Sequence, residues 1–533
     1  MNSGSSTVTK GSTSNSAPSA TPGRTLAGGN TGQVSTTGSA VAGIGAAALG
    51  AAAGQLAAVM VNPASAPIVA VGAAIVDLVP TPLKEWAVAT LGTADKVVLL
   101  GSVVVGVVVL SAMAGGLALR RPAVGYAVFA AIGLIGVLAA ATRPAAGQLD
   151  WLPSIIGTAV AMGVLRLELR WLADRPGQGP DTRRGIDRRV LLTGAAGVVA
   201  AGAAAAVSGG GTTSPTASTP VSLPTAAPPA PAFPVGLETT VPDVSPLRTP
   251  IEDFYRIDTA LVLPRVSTDT WTLQVDGMVA APYTLTWAQL LAMPMIEHDI
   301  TLTCVSDPIG GPYISSTRFL GVRVADLLRK AQPNADADQV LSSSVDGFTA
   351  STPLAVLLDG RDAMIAIAMD GQPLTQVHGF PARLVTPGLY GYVGATKWIN
   401  RLKVSTFAAD EAYWTRRGWS ELGPVKTATR IDTPQERIKS GRTVIAGVAW
   451  ATHRGVGKVE VQVDNGPWTA TQLGPDVGLD YWRQWYLPWD ATSGPHRLSA
   501  RAYDASGLPQ IEAVQDVLPD GATGYHVVQV NVG

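Results

Sequence analysis

The sequence predicts a multi-domain protein: N-terminal transmembrane α-helices, then an α+β domain, then an all-β domain of immunoglobulin-like type. Three observations predict it. Apolar Ala/Val/Gly/Leu runs crowd roughly the first 210 positions and then give way to soluble-type alternation. Strand and helix patterns mix between residues 249 and 425. Short strands separated by turn residues fill the remainder, 426–533. A chain of 533 residues has room for all three parts. Only 14% of residues are charged, the net charge is −1, and no basic block with interleaved aromatics occurs, which argues against a nucleic-acid partner.

Taken in order, residues 1–39 are rich in Ser, Thr and Gly, bury too little apolar surface to fold, and are expected to be disordered. A membrane region follows over 40–208, with apolar runs at 40–62, 97–118, 123–141, 153–168 and 190–208. A helix needs about 20 apolar residues to cross the hydrocarbon layer, with a lower limit near 17, so the run at 153–168 is marginal. The stretch 66–79 carries Asp77 and stops at Pro80, and reads as re-entrant or interfacial. Arg120 and Arg121, then Arg170 and Arg175, then Arg183, Arg184, Arg188 and Arg189 mark three cytoplasmic ends. Five spans satisfy all three clusters, with the N-terminus inside and everything after residue 209 outside. Asp187-Arg188-Arg189-Val190-Leu191-Leu192 also resembles a twin-arginine export signal, the route for domains that cross already folded. Simple anchoring of the helix by two arginines is the alternative reading.

Residues 209–248 are rich in Pro, Thr, Ser and Ala and are expected to form an extended linker that holds the next domain off the bilayer. In the α+β domain, Trp271–Gly277 alternates as a strand, Thr286 caps a short helix, and Val324–Lys330 is a second helix. Asp299–Val305 alternates again, which places Cys304 at a strand end leading into a loop turned by Gly310-Gly311-Pro312. In the last domain, Thr443–Trp450, Lys458–Val463, His496–Asp504 and His526–Val532 read as strands. Asp464-Asn465-Gly466 turns the second of these into a strand at Trp468–Gln472.

Cys304 is the single cysteine, so no internal disulfide staples the fold. It can be a buried small hydrophobe, a nucleophile or a soft ligand for one metal. With one cysteine no Cys₄ iron–sulfur cluster forms. All five histidines lie after the membrane region, so the spans offer no paired imidazoles for a membrane haem.

Three stretches of the soluble half together resemble the sulfite oxidase family of molybdopterin enzymes, in its membrane-anchored bacterial branch. They are Thr301–Val305 with Ile314–Gly321, Phe348–Leu354 with His378–Arg383, Thr386–Gly388 and Lys397-Trp398, and Phe254–Asp258. The resemblance implies a molybdenum–molybdopterin cofactor, with Cys304 as thiolate ligand of the metal. It implies that Arg318, Ser351, His378, Arg383 and Lys397 line or hold the pterin and its phosphate, and that Arg256 faces pterin and substrate. A dianionic phosphate suits a guanidinium fork and an ammonium. The segment Tyr413–Trp419 resembles the loop that closes the pocket, with Trp419 where sulfite-oxidising members carry tyrosine. Asp307 and Pro308 follow Cys304 where basic residues would bind sulfite, and Tyr392-Val393-Gly394 holds no arginine. These departures count against sulfite, and a neutral or less charged substrate such as a sulfoxide or N-oxide fits as well.

The expected protein is a molybdenum oxidoreductase anchored in the cell membrane by several passes. It performs oxygen-atom transfer on a small molecule outside the cytoplasmic membrane and exchanges electrons with a separate cytochrome or quinone-linked partner. Membrane lipid and, through the immunoglobulin-like domain, a second copy of the chain are its other partners. Two alternatives stay open: a non-catalytic envelope binding or adhesion protein that keeps the fold, and a cysteine-nucleophile enzyme with His378 as base.

Overall fold

The computed structural model describes residues 36–80, 94–143, 146–173 and 222–533, and four isolated positions between 83 and 91. The run at 190–208, the arginines from 175 to 189 and residues 1–35 lie outside the described residues. Residues 36–39 of the segment expected to be disordered instead begin the first helix, because Ser39 is buried against Gly115 of a neighbouring helix.

Among the described residues five helices form the N-terminal part: α1 (Thr36–Val61), α2 (Pro67–Leu78), α3 (Asp95–Arg120), α4 (Pro122–Ala141) and α5 (Leu152–Ala173). By length and composition α1, α3, α4 and α5 can each cross a membrane, and the marginal run at 153–168 lies in a 20-residue apolar stretch, Leu152–Trp171. Helix α2 has 12 residues, too few to span. Neighbours run antiparallel and approach through small residues. A methyl group on Gly43 would meet the Ser111 carbonyl oxygen, and one on Gly115 would meet that of Ser39. Gly50 and Gly54 of α1 face Gly157 and Pro153 of α5 in the same way. The ends near Asn62, Asp77, Lys96 and Asp150 therefore share one side of the bundle, where Asn62 Nδ2 donates to the Asp150 carboxylate at 2.9 Å. Arg120, Arg121 and Arg170 lie at the opposite side.

The α+β part has two sheets. The first is ordered β2 (Tyr283–Thr286), β1 (Thr272–Gly277), β10 (Ile399–Ser405), β5 (Gln339–Ser344) and β6 (Thr349–Pro353), with β1 and β10 parallel. The second is ordered β3 (Ile296–Thr303), β4 (Ile314–Arg323), β7 (Met364–Met369) and β8 (Gln372–Pro373), with β9 (Arg383–Val385) also on β7. Thr286 starts α6 (Trp287–Leu291) with a full capping box: its hydroxyl accepts from Gln289 N–H and the Gln289 side chain accepts from Thr286 N–H. Helix α7 (Val324–Ala331) buries Val324, Leu327, Leu328 and Ala331 in the main core, beside Leu273, Val275, Val340 and Leu402 of the first sheet. Each such leucine contributes about 2 kcal/mol of burial. A second cluster, with Phe254, Ile300, Leu302, Phe319 and Val385, lies beneath the ends of β3 and β9.

The C-terminal part is two packed antiparallel-rich sheets. One is ordered β11 (Ala428–Thr433), β13 (Gly441–Trp450), β17 (Arg483–Ala491) and β16 (Gln472–Leu473). The other is β12 (Arg437–Ile438), β19 (His526–Val532), β18 (Gly494–Asp504), β14 (Val456–Val463) and β15 (Thr469–Ala470). Their shared core holds Ile431, Ile445, Val459, Trp485, Leu498 and Val530. The turn at 464–466 forms, with Asp464 and Asn465 at positive φ. The strand expected after it does not form as one piece: Thr469–Ala470 pairs with β14, and Gln472–Leu473 crosses to pair with β17.

Residues 222–248 are extended, but they are not a free spacer. Ala226, Val241, Val244 and Leu247 are buried, and the Leu247 carbonyl accepts from both Trp482 Nε1 (2.7 Å) and Tyr481 Oη (3.0 Å). The strap is apolar at intervals and so packs along both soluble parts. The domain is not held away from the helices either: Lys96 and Asp77 bond directly to it.

Candidate active site

Cys304 follows the last residue of β3, and its N–H donates to the Tyr313 carbonyl at 2.9 Å, closing the loop that leads to β4. Asp307 holds the loop from inside, its Oδ1 accepting from Tyr313 N–H at 2.8 Å. The Cys304 sulfur lies 2.9 Å from Ser306 Oγ and borders a cavity walled by Thr303, Asp307, Tyr390, Lys426 and Thr523. The thiol is thus placed between the α+β part and the β part. Burial pushes the thiol pKa up, against the Ser306 hydrogen bonds that pull it down. Burial likewise pushes Asp307 up to about 6.

A cationic groove lies beside it. Arg383 starts β9 and is 5% exposed, yet its only hydrogen bond among the described residues is a long one, 3.4 Å from Nη1 to the His378 carbonyl, and its Nε has no partner. Its guanidinium faces the Phe319 ring at 6.0 Å, and burial pulls its pKa down to about 10. Lys397, 9% exposed, donates to Asp258 Oδ2 at 2.8 Å and to the Val377 carbonyl at 3.1 Å. Burial pulls it down to about 8, against the pull of Asp258. His378 is buried with Nε2 3.1 Å from the Ile251 carbonyl. Burial first and then Arg383 lower its pKa to about 4, so at neutral pH it is uncharged. Arg256 pairs with Asp258 at 2.9 Å. Burial alone would raise the Asp258 pKa, but Lys397, Lys96 and Arg256 outweigh it and hold the carboxyl well below the usual carboxylate range.

The structure brings Arg256, His378, Arg383 and Lys397 together. Gly379 makes this possible: its φ is +105°, and a Cβ there would lie 3.1 Å from Lys397 Cα and 3.2 Å from Arg383 Cβ. Trp419 lies in the aromatic cluster that holds Val305, Tyr392 and Trp450, with Tyr392 at 5.9 Å, and its buried Nε1 has no partner.

Two expected residues are placed elsewhere. Arg318 sits opposite Asp299 in the β3–β4 ladder, well back along the strands from the Cys304 end, and makes a two-point pair with that carboxylate at 2.8 Å. Its remaining donors bind the strap carbonyls of Ala230 and Pro231, and it lies over the Phe233 ring at 4.5 Å. Ser351 bonds Gln339 on one face of the sheet. Its neighbour Thr352 points the other way and bonds the Val393 carbonyl. Strand alternation therefore gives the face toward residues 390–396 to Thr352, not Ser351.

Three residues were not singled out from the sequence. Asp258 neutralises part of the groove. Tyr255 lies between the two halves of the site: burial and the nearby Cys304 raise its pKa, while Arg383 opposes them. Lys96 enters from α3 and bonds Asp258 at 2.8 Å. Tyr255 and Asp258 flank Arg256 in a stretch already notable, but nothing local ties Lys96 to it.

These residues suit an anionic organic cofactor beside a soft metal. The orphaned Nε of buried Arg383 calls for an anion, the glycine at 379 keeps the groove clear of a side chain, and the thiol at the cavity wall is a soft donor. The class so defined is an α+β enzyme domain that holds a phosphate-bearing cofactor next to a cysteine. Residues 260–414 match the family model described as "oxidoreductase molybdopterin binding domain". The chain is similar to the uncharacterized oxidoreductase YuiH of Bacillus subtilis, 33% identical over 153 residues, covering 29% of this chain and 74% of that one. It is similar to human mitochondrial sulfite oxidase, 28% identical over 290 residues, covering 45% of this chain and 52% of that one. It thus spans about half the length of the mitochondrial sulfite oxidases it matches. Among solved structures the sulfane dehydrogenase SoxCD of Paracoccus pantotrophus is similar at 22% identity and a TM-score of 0.47, covering 54% of this chain and 84% of that one. The chain belongs to the sulfite oxidase family of molybdopterin-dependent oxidoreductases, and its cofactor is molybdenum–molybdopterin.

Proposed function

We propose that the protein is a membrane-anchored molybdopterin oxidoreductase that reduces a small, neutral oxide such as a sulfoxide or N-oxide outside the cytoplasmic membrane. Each turnover takes up two electrons and two protons and releases water. The electrons come from a separate cytochrome or quinone-linked partner, since a chain with one cysteine builds no Cys₄ iron–sulfur relay of its own. The observation that carries the reading is the buried Arg383 with an unpartnered Nε among the described residues, packed with Lys397 against Gly379 and bonded to the His378 carbonyl. When bound, the molybdenum centre supplies oxygen-atom transfer. Cys304 is the protein ligand for it. Arg383 and Lys397 grip the phosphate, neutral His378 fixes the groove wall through the Ile251 carbonyl, and Tyr255 orients between thiol and guanidinium. Trp419 and Tyr392 exclude water from the Cys304 side.

The substrate argument rests on charge. The cavity at Cys304 carries the acid Asp307, and the lysine that lines it, Lys426, is already bonded to Asp520 and to the Gly521 carbonyl. A dianion needs converging cationic donors, which this wall lacks. The placement outside the membrane rests on the arginines. Arg120, Arg121 and Arg170 lie at the bundle end away from the catalytic part, as the excess of basic residues on cytoplasmic ends requires. Four antiparallel helices leave Ala173 on that same end, and the apolar run 190–208 is long enough to return the chain. The two-sheet C-terminal part is read as immunoglobulin-like and as the surface for a second copy, with the boundaries near 249 and 426.

The test is metal and pterin analysis of the detergent-solubilised protein, followed by turnover assays with sulfoxides, N-oxides and sulfite. About one molybdenum and one pterin per chain is expected. Cys304→Ser is expected to fold and keep pterin but lose turnover, and unchanged turnover would remove the ligand role. Chains lacking both molybdenum and pterin after cofactor-competent expression would leave an envelope binding protein as the reading.

A further inference from the structure

Among the described residues the helical bundle bonds the catalytic part at two polar points, one on residues 258–260 beside the groove and one on the segment 413–417 that leads to Trp419. At the first, Lys96 on the opening turn of α3 donates to Asp258 Oδ1 and to the Ala260 carbonyl, each at 2.8 Å. Asp258 is 4% exposed at its side chain, and its other oxygen accepts from Lys397 at 2.8 Å and from Arg256 at 2.9 Å. One carboxylate is therefore shared between a membrane-helix lysine and two cations of the groove. At the second, Asp77 near the end of α2 accepts from Arg417 Nη2 at 2.8 Å and from Tyr413 Oη at 3.2 Å. Arg417 also stacks on the Tyr413 ring at 3.6 Å, within the segment that leads to Trp419. Between the two points a methyl group on Gly72 of α2 would lie 3.3 Å from Leu261 Cδ1, so the contact is close as well as polar.

We infer that the membrane anchor is a working part of the cofactor site, with Lys96 and Asp77 as positioning residues that hold the 256–261 and 413–419 loops around the groove. The inference rests on the reading of that groove as the pterin site. Its physical basis is the sharing of Asp258. A half-buried ion pair holds its geometry only while its partners are fixed, and a fourth charge brought in by a packed helix fixes the carboxylate that in turn fixes Lys397. Without Lys96 the carboxylate is left to Lys397 and Arg256, and the loop carrying residues 256–261 loses its tether to α3. Without the Asp77 carboxylate, the segment 413–417 loses its bonds to α2 and loosens.

The experiment uses the full chain in detergent or nanodiscs and compares Lys96→Ala, Lys96→Arg, Asp77→Asn and a remote control, Lys458→Ala, whose ion pair with Glu460 lies in the β part. The first readout is backbone hydrogen exchange in residues 251–261 and 413–419, which needs no cofactor. The second is the rate at which molybdenum and pterin leave the purified protein. Lys96→Ala is expected to speed exchange selectively in 251–261 and Asp77→Asn selectively in 413–419, with exchange in β13 and β17 unchanged. Each is expected to release cofactor roughly tenfold faster than wild type, while Lys96→Arg and Lys458→Ala behave as wild type. In an Asp258→Asn background, Lys96→Ala is expected to add little. Wild-type exchange in both loops of the two variants would overturn the inference, and so would loosening spread evenly over the chain. If Lys96→Ala cannot be purified folded, Asp77→Asn and the response of Lys96→Arg decide alone. A wild-type protein free of molybdenum and pterin would sink the functional reading and leave the exchange result to judge the tethers.

Discussion

A guanidinium buried beside Phe319 raises the free energy of the folded chain when no carboxylate pairs with it, and among the described residues none pairs with Arg383. That cost is reasonable only if an anion offsets it. Arg383→Met is therefore expected to stabilise the cofactor-free protein by about 1–3 kcal/mol, while abolishing cofactor retention. Denaturant unfolding followed by tryptophan fluorescence checks the first half, and pterin analysis the second. A destabilised cofactor-free variant would show that the guanidinium is a structural prop. Lys397 makes a separate prediction through pH. Its pKa is lowered from 10.5 to about 8 by burial, so between those values the unfolded chain holds a proton that the folded, cofactor-free chain has lost. The stability of the cofactor-free protein therefore gains from this group as pH rises through that window. Anion binding runs the opposite way, because the ammonium that grips phosphate disappears. Cofactor retention is expected to fall between about pH 7 and about pH 9.5, and a flat profile in dialysis experiments would contradict the role given to Lys397.

At the scale of elements, the groove depends on how a short turn brings β9 and the start of β10 together. Gly379 sits at φ +105° with Lys397 and Arg383 each a little over 3 Å from where a Cβ would be. Gly379→Ala is expected to combine backbone strain with displacement of both cations. Loss of cofactor is expected at a cost of about 1–3 kcal/mol in stability, measurable by pterin content and thermal unfolding of the same preparation. Normal retention in a folded variant would mean the glycine serves the turn alone. Elements set by local pattern matched expectation. The capped helix after Thr286, the helix from Val324 and the strand ending just before Cys304 all follow from side chains within one turn or one pleat. The errors came from facing and partner choice. Ser351 and Thr352 differ by one position in a period of two, and only the pairing of β5 with β6 says which faces the site. Arg318 was claimed by Asp299 and the strap, partners that no local pattern announces.

For the whole molecule, the helices and the soluble parts form one connected assembly, tied by Lys96–Asp258, by Asp77–Arg417 and by the strap of residues 222–248. The export reading belongs to this scale. Replacing Arg188 and Arg189 by lysine keeps the positive charge but removes the twin-arginine pattern. The soluble part is expected to stay inside, with protease added to intact spheroplasts no longer cutting it. Continued cleavage from outside would make the arginines topological only. The sequence by itself determined the apolar helices, the α+β and β patterns and the position of Cys304 at a strand end, because each depends on residue type and short-range period. Tertiary structure alone decided that Tyr255 and Asp258 lie beside the cationic groove, that Arg318 pairs with Asp299 and the strap, and that a lysine from an apolar helix bonds Asp258. Those outcomes depend on which distant segments pack together, and burial turns such contacts from weak surface charges into determinants of geometry.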